Sequence, residues 1–350
     1  MLGLKVLLKD AEKWKQYIVI NNIIDKDYFY IKDKKHIYFP ITKKFTTIKS
    51  EENERGSEIS FVEKDFPKSD RKGTLKENLS KTLTADEFSF VKTAHDIIGS
   101  IAIVEIPVDL EKRAKLIAET LLQVNPQIKT VLKKANIHEG VFRTQKMTYL
   151  AGENTKETMY KENDVRLKLD VEKVYFSIRL GNERKRIMNQ VKPGEEILVM
   201  FSGCAPYPVV LSKNTQAKHI TGIEINPEGH KYGLENLKLN KIKNVDLICG
   251  DVHDVIPQLK KKNPKLTYDR IAMPLPKTAD EFLDDALSVS KKGTIIHFYD
   301  FLPETDFDEA VKKIDEACKK RKLKHKILEI VKCGQHAPHI YRICVDFKII

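Results

Sequence analysis

Residues 196–226, EILVMFSGCAPYPVVLSKNTQAKHITGIEIN, decide the fold. Ile197–Phe201 is a short apolar run that reads as a buried strand. Ser202–Pro208 is a turn of small residues and prolines, and Val209–Ser212 begins a helical segment. A second apolar strand, Ile220–Ile225, carries one acid, Glu224, near its end. Strand, tight turn, helix and acid-tipped strand is how a doubly wound sheet holds a nucleoside. The turn brings the ligand to the backbone, and the carboxylate accepts from the ribose hydroxyls. The expected fold is α/β: a Rossmann-like, mostly parallel sheet preceded by two smaller α/β or α+β domains.

Downstream, strand and helix signals keep alternating, as a parallel sheet requires. Val245–Cys249 is a third strand, closed by Gly250-Asp251-Val252. An acid there can accept from an adenine amino group while the neighbouring amide reads a ring nitrogen. Asp269–Met273 is a fourth strand running into Met273-Pro274-Leu275-Pro276, a rigid loop with few backbone donors. Ala279–Ser290 reads as helix, Gly293–Tyr299 as a fifth strand and Phe307–Lys320 as an amphipathic helix. Ile327–Val331 and Ile340–Phe347 read as an antiparallel pair that closes the sheet.

Upstream, residues 1–66 read as a small module with a strand at Val6–Leu8, a helix at Ala11–Asn21 and a strand at His36–Ile41. Its first fifty residues hold eleven Lys against five Asp and Glu, interleaved with Trp14, Tyr17, Tyr28, Phe29, Tyr30 and Tyr38. Lysines beside aromatics suit an RNA surface; equally, the aromatics fill a small core beneath solvated lysines. Residues 67–74, polar and punctuated, read as a linker. The middle domain, 75–154, contains strand signals at Ile97–Ile106 and Lys129–Leu132 and a helix at Leu110–Leu122; residues 155–350 form the nucleoside-binding domain. Leu167–Phe176 reads as paired strand segments. Arg179 and Glu183, four apart before the organising strand, read either as a surface ion pair or as groups standing over the ligand.

The chain has 350 residues and a net charge of +12, which favours a polyanionic partner. No apolar run approaches the ~18 residues of a membrane span. Five scattered cysteines without CxxC spacing argue against a zinc site or disulfide framework and for a reducing, cytoplasmic setting. No metal and no obligate protein partner is expected. Ser202–Pro208 has one glycine and two prolines, not the glycines that cradle a pyrophosphate. S-adenosylmethionine, with ribose, adenine and an open sulfonium, fits that turn better than a dinucleotide.

Several stretches together resemble the archaeal and eukaryotic tRNA (guanine(37)-N1)-methyltransferases. They are Gly-Val-Phe-Arg-Thr at 140–144, Tyr-Leu-Ala-Gly-Glu-Asn at 149–154 and Tyr160–Asn163. Further on come 173–184, Ile-Glu-Ile-Asn-Pro at 223–227, Leu-Asn-Lys at 239–241, Gly-Asp-Val at 250–252 and 338–346. The resemblance implies an S-adenosylmethionine-dependent methyltransferase whose partner is tRNA, touched at the anticodon loop and the elbow. Carried over by position, Glu183 matches the general base at guanine N1, Arg143 the arginine facing O6, and Arg179 an arginine orienting base or phosphate. Arg184 would lie near the methionine moiety. Glu224 would meet the ribose, Asp251 and Val252 the adenine, with Phe201, Tyr207, Ile225 and Pro274 lining the cofactor site.

Val199 and Ala205 stand where many members have an acid and a second glycine, and Pro274 where many have Asn. With Pro206-Tyr207-Pro208 and residues 297–301, these departures resemble the archaeal branch associated with wyosine synthesis. Some members of that branch also methylate carbon 7 of the tricyclic base made from the methylated guanosine. Carbon-7 methylation, a catalytically inactive tRNA-binding homologue and a small-molecule methyltransferase therefore stand as alternatives.

Overall fold

The computed structural model describes residues 1–42, 59–69, 72–135, 140–275 and 277–350. Residues 70 and 71 of the expected linker and Pro276 of the proline loop lie outside the described residues. The chain falls into two compact units, Met1–Thr74 and Leu75–Ile350. No helix among the described residues is long and apolar enough to cross a membrane.

In the first unit, the described residues of β1 (Leu2–Leu7), α1 (Ala11–Ile20), β2 (Ile31–Lys32), β3 (His36–Pro40) and β4 (Ile59–Glu63) form an antiparallel sheet ordered β2-β3-β1-β4 together with the helix α1. Trp14 and Ile18, four apart on α1, share one face and are fully buried with Leu4, Val6 and Phe39. The aromatics of this unit divide between core and surface. Trp14 and Tyr38 are core, whereas Phe29 and Tyr30 are each 51% exposed.

The second unit opens with two short helices, α2 (Leu75–Leu79) and α3 (Ala85–Ser89). The N-terminus of α3 is closed by a reciprocal box between Thr84 and Glu87. The single strand expected over Ile97–Ile106 is instead a hairpin, β5 (His95–Ile98) and β6 (Ile101–Val104). Gly99 is the cause: its φ of +58° turns the chain, and a Cβ there would collide with Thr158 and the Met159 carbonyl. The helix α4 (Ala114–Val124) crosses from β6 to the parallel β7 (Thr130–Lys134), and β8 (Met147–Gly152) completes a sheet ordered β5-β6-β7-β8. Next, β9 (Glu157–Glu162) and β10 (Val165–Asp170) pair through Asn163-Asp164, both at positive φ, as a primed hairpin turn demands.

The nucleoside-binding part begins with α5 (Gly181–Gln190) and then alternates. In order come β11 (Glu196–Val199), α6 (Pro206–Asn214), β12 (His219–Glu224), α7 (Pro227–Leu239), β13 (Val245–Cys249) and α8 (Val252–Lys262). After these come β14 (Tyr268–Met273), α9 (Leu283–Ser288), β15 (Ser290–Pro303), α10 (Asp308–Lys320), β16 (His325–Ala337) and β17 (Ile340–Ile349). The sheet order is β13-β12-β11-β14-β15-β17-β16, parallel through β15 and antiparallel at the final pair. Buried on both faces, Ile197–Met200 have no accessible surface, which is why that run is apolar without alternation. Strand order reverses beside β11, so a crevice opens at the carboxyl ends of β11, β12 and β14. α6 starts three residues before the expected Val209, since Pro206 and Pro208 lie in a first turn that needs no N–H.

The two domains expected on either side of residue 154 share a core. Ile98, Ile101, Leu132 and Met147 pack with Leu169, Val174, Cys204 and Tyr232. The hairpin is also fastened to α7 by two amides. Asn236 and Asn240 each accept from and donate to the β10 backbone, at Lys168 and Arg166 respectively, over 2.7–3.0 Å.

Candidate active site

The turn after β11 is a sequence of left-handed residues: Phe201, Gly203 and Ala205 have φ of 61°, 56° and 64°. Opposite it, at the end of β12, Glu224 receives the Gly203 amide at 2.5 Å on one oxygen and the Asn226 amide at 2.8 Å on the other. Burial pushes this carboxyl up, and the two amides oppose that shift. A carboxylate has about four acceptor positions, so each oxygen keeps capacity for a ribose hydroxyl. The residues therefore fit a nucleoside. Gly203 leaves the approach open, since a Cβ there would come no nearer than 3.7 Å to the Tyr175 carbonyl.

At the end of β13, Asp251 caps α8 by accepting from the His253 amide at 2.8 Å, with Val252 buried behind it. Ile225 and Pro274 are half-buried at the ends of β12 and β14. Phe201 packs edge-on against Phe282 at 4.8 Å, and Phe282 stacks on His253 at 4.2 Å. This aromatic strip beside Asp251 was not read from sequence, because Phe282 lies 81 positions beyond Phe201 with no motif to mark it.

Glu183, on the first turn of α5, is only 5% exposed. Arg186 grips both its oxygens at 2.8 Å, and the Tyr299 hydroxyl donates to one at 2.6 Å. Burial alone would raise the carboxyl, but Arg186 and then Tyr299 outweigh it and hold it below its ordinary range. Tyr299 in turn meets the Tyr207 hydroxyl at 3.1 Å. Glu183 is thereby tied to α6, the helix of the nucleoside turn. Tyr207 is buried, with its hydroxyl in this chain of bonds rather than lining the crevice by an exposed ring.

Arg186 also reaches Asp346 at 2.6 and 3.1 Å, and Asp346 accepts from His297 Nδ1 at 2.6 Å. His297 Nε2 faces Arg270 Nη1 at 2.8 Å. A guanidinium only donates, so Nε2 is the acceptor and Nδ1 carries the proton. Burial holds His297 neutral, against the pull of Asp346. His297, Cys344 and Asp346 bring ligand atoms within 4.8 Å of one another. They do not suit a metal ion, because both His297 nitrogens are committed and two guanidiniums flank the group. Sequence reasoning singles out neither Arg186 nor Asp346. Arg186 stands three positions after Glu183, a spacing that carries the signal, whereas Asp346 is only the last residue of the 338–346 stretch, 160 positions from Arg186.

Two expected partners lie elsewhere. Arg179 is exposed and bonds Asp96 on β5 at 3.1 Å, so the ion pair expected between Arg179 and Glu183 does not form. Arg184, expected beside a methionine moiety, is 1% exposed and bonds Glu162 on β9 at 2.5 and 2.6 Å. Its guanidinium lies near the Phe176 and Tyr207 rings, where it clamps the hairpin to α5. Arg143 ends the turn from Gly140 with φ of 51° and is half-buried; burial and then the Arg342 guanidinium push it down.

Three family descriptions match in series: the tRNA methyltransferase 5 N-terminal domain over residues 3–49, the TYW2 N-terminal domain over 75–155 and the TRM5/TYW2 methyltransferase domain over 158–328. The chain is 40% identical over 261 residues to tRNA (guanine(37)-N(1))-methyltransferase Trm5b of Pyrococcus abyssi, covering 74% of this chain and 76% of that one. It is 33% identical to the Trm5b of Methanocaldococcus jannaschii, covering 99% and 98%. Among solved structures, the complex of aTrm5 with tRNALeu is similar over 100% of both chains, with a TM-score of 0.72 and 32% identity. The chain belongs to the TRM5/TYW2 methyltransferase family.

Proposed function

We propose that this chain transfers a methyl group from S-adenosylmethionine to N1 of guanosine 37 of tRNA. The observation that carries the reading is Glu183: an ionised, buried carboxylate bound through Tyr299 and Tyr207 to the helix that opens the nucleoside crevice. Relatives named for that reaction match 74% and 99% of this chain, which supports it. When bound, S-adenosylmethionine supplies an electrophilic sulfonium methyl. Glu224, with Asp251 and Val252, would hold its ribose and adenine, and Phe201, Ile225 and Pro274 would line the site.

Guanine N1 is a weak acid, so its proton must leave as the N1–carbon bond forms and the sulfur–carbon bond breaks. Glu183 takes that proton. Arg186 divides its guanidinium between Glu183 and Asp346, so it keeps a carboxylate partner once Glu183 is neutralised. Arg143 faces O6, where negative charge collects as N1 loses its proton. N1 is shielded in a stacked base, so the nucleotide must swing out to reach the crevice. Arg179 would orient the RNA from the surface, and residues 1–66 would reach the tRNA elbow while the catalytic unit works at the anticodon loop.

Primer extension on unmodified tRNA tests the reading. A stop at guanosine 37 should need both chain and cofactor, and vanish when that base is adenosine. Absence of any stop, or methylation only of the tricyclic base at carbon 7, would overturn it.

A further inference from the structure

Beyond the catalytic pair, four basic side chains from three separate segments converge. Arg342 on β17 donates from Nη2 to the Tyr175 hydroxyl at 3.1 Å, and its guanidinium lies 5.1 Å from the Phe301 ring. Phe301 stacks on His336 of β16 at 3.9 Å, 20° from coplanar. His336 is pushed toward its neutral form by burial and by the charges of Arg342, Arg143 and Lys277. Arg143 feels the Arg342 charge directly. Among the described residues, no carboxylate pairs with Arg342, His336 or Lys277. The Nε of Arg342 is buried with no acceptor.

A cluster of like charges is unfavourable by itself, and a buried guanidinium N–H without an acceptor adds to that cost. Both costs disappear when an anion occupies the space. The position narrows the choice of anion. Lys277 follows the Pro274-Leu275 loop at the end of β14, and the carbonyl of Tyr175 borders the approach to Gly203. The cluster therefore stands at the rim of the crevice.

We propose that Arg342, His336 and Lys277, flanked by Arg143, form a seat for a phosphodiester of the RNA next to the target nucleotide. Arg342 presents the fork-shaped donor set that suits phosphate oxygens, Lys277 and the neighbouring Arg143 add positive charge around it, and the neutral His336 imidazole adds an N–H donor. The inference rests on the tRNA reading above and identifies which backbone contact holds the swung-out nucleotide. The other anion of matching chemistry is the carboxylate of the methionine moiety, and the test separates the two.

The experiment uses the full chain and its R342A, H336A and K277A variants. Binding of an unmodified tRNA transcript is measured between 50 and 200 mM salt, and S-adenosylmethionine binding is measured by calorimetry without RNA. Loss of one phosphate contact lowers the slope of log affinity against log salt by about 0.7–0.9. R342A should show that drop with about tenfold weaker tRNA binding and unchanged cofactor affinity. H336A and K277A, both at exposed positions, should weaken tRNA binding in the same direction and remain informative if R342A fails to fold. Unchanged tRNA slopes in all three variants would overturn the seat. So would a loss confined to cofactor affinity, which would give the cluster to the carboxylate. These readouts need no methyl transfer, so a wild-type chain that binds tRNA with the expected slope but methylates nothing would sink the activity and leave the seat standing.

Discussion

Glu183 is ionised at neutral pH because Arg186 and Tyr299 together outweigh its burial. Glu183→Gln removes the proton acceptor while keeping the shape. Single-turnover methyl transfer should fall at least ~100-fold, the usual range for general-base work, with cofactor affinity unchanged. Near-normal turnover would take Glu183 out of that role. Asp346 is held far below the ordinary carboxylate range: burial opposes this, but the His297 bond and the Arg186 charge prevail. A carboxyl depressed in the folded state adds stability above its unfolded value of about 3.9, and that stability is lost as pH falls through the folded value. Asp346→Asn leaves Arg186 half-neutralised beside a buried histidine. It should cost about 3–5 kcal/mol in urea unfolding at pH 7 and flatten the acid limb of the stability curve. His297 is depressed too, so its stabilisation is complete above about pH 6.5 and fades below that as the unfolded imidazole takes a proton. The drop in urea midpoint from pH 7 to pH 5 should be smaller in His297→Gln than in the parent chain.

At the scale of elements, α5 is held from three sides. Arg184 fixes it to β9, Arg186 to β17, and the Glu183–Tyr299–Tyr207 chain to β15 and α6. The Glu183 carboxylate thus sits on a helix whose position depends on the hairpin β9–β10, and the hairpin depends on α7. Asn236, with no accessible surface, bonds both backbone groups of Lys168 and the Cys204 carbonyl. Asn236→Ala leaves those groups unsatisfied and should destabilise the second unit by about 3 kcal/mol in urea unfolding. An unchanged midpoint would mean water takes over the three bonds. This amide clasp was invisible in the sequence: Asn236 falls where helical spacing puts an ordinary core residue, and its partners are 68 and 32 positions away.

For the whole molecule, the net charge of +12 favours a polyanionic partner, and the chain separates into two units. The unit Leu75–Ile350 has cores of its own, so a chain lacking residues 1–74 should still bind S-adenosylmethionine with the parent affinity. Its tRNA affinity should be weaker and its salt slope shallower, because the lysine-rich first unit is gone. Equal slopes with and without that unit would show that it makes no phosphate contact.

Local pattern determined a good deal of this protein by itself. The apolar run at 197–201, the turn after it and the acid at 224 marked a parallel sheet with a nucleoside crevice, and alternation carried the strand order forward to Phe347. Tertiary structure alone decided the partners. Arg179 and Arg186 flank Glu183 at equally good helical spacings, and only the fold sends the first to Asp96 and the second to Glu183. The register of β15 against β17 sets His297 opposite Asp346 and Phe301 opposite Arg342. Those two pairs build the network under Glu183 and the proposed phosphate seat. The physical reason is that strand and helix periods act over a few residues. Which side chains meet across a sheet depends on a register chosen by the packing of the whole domain.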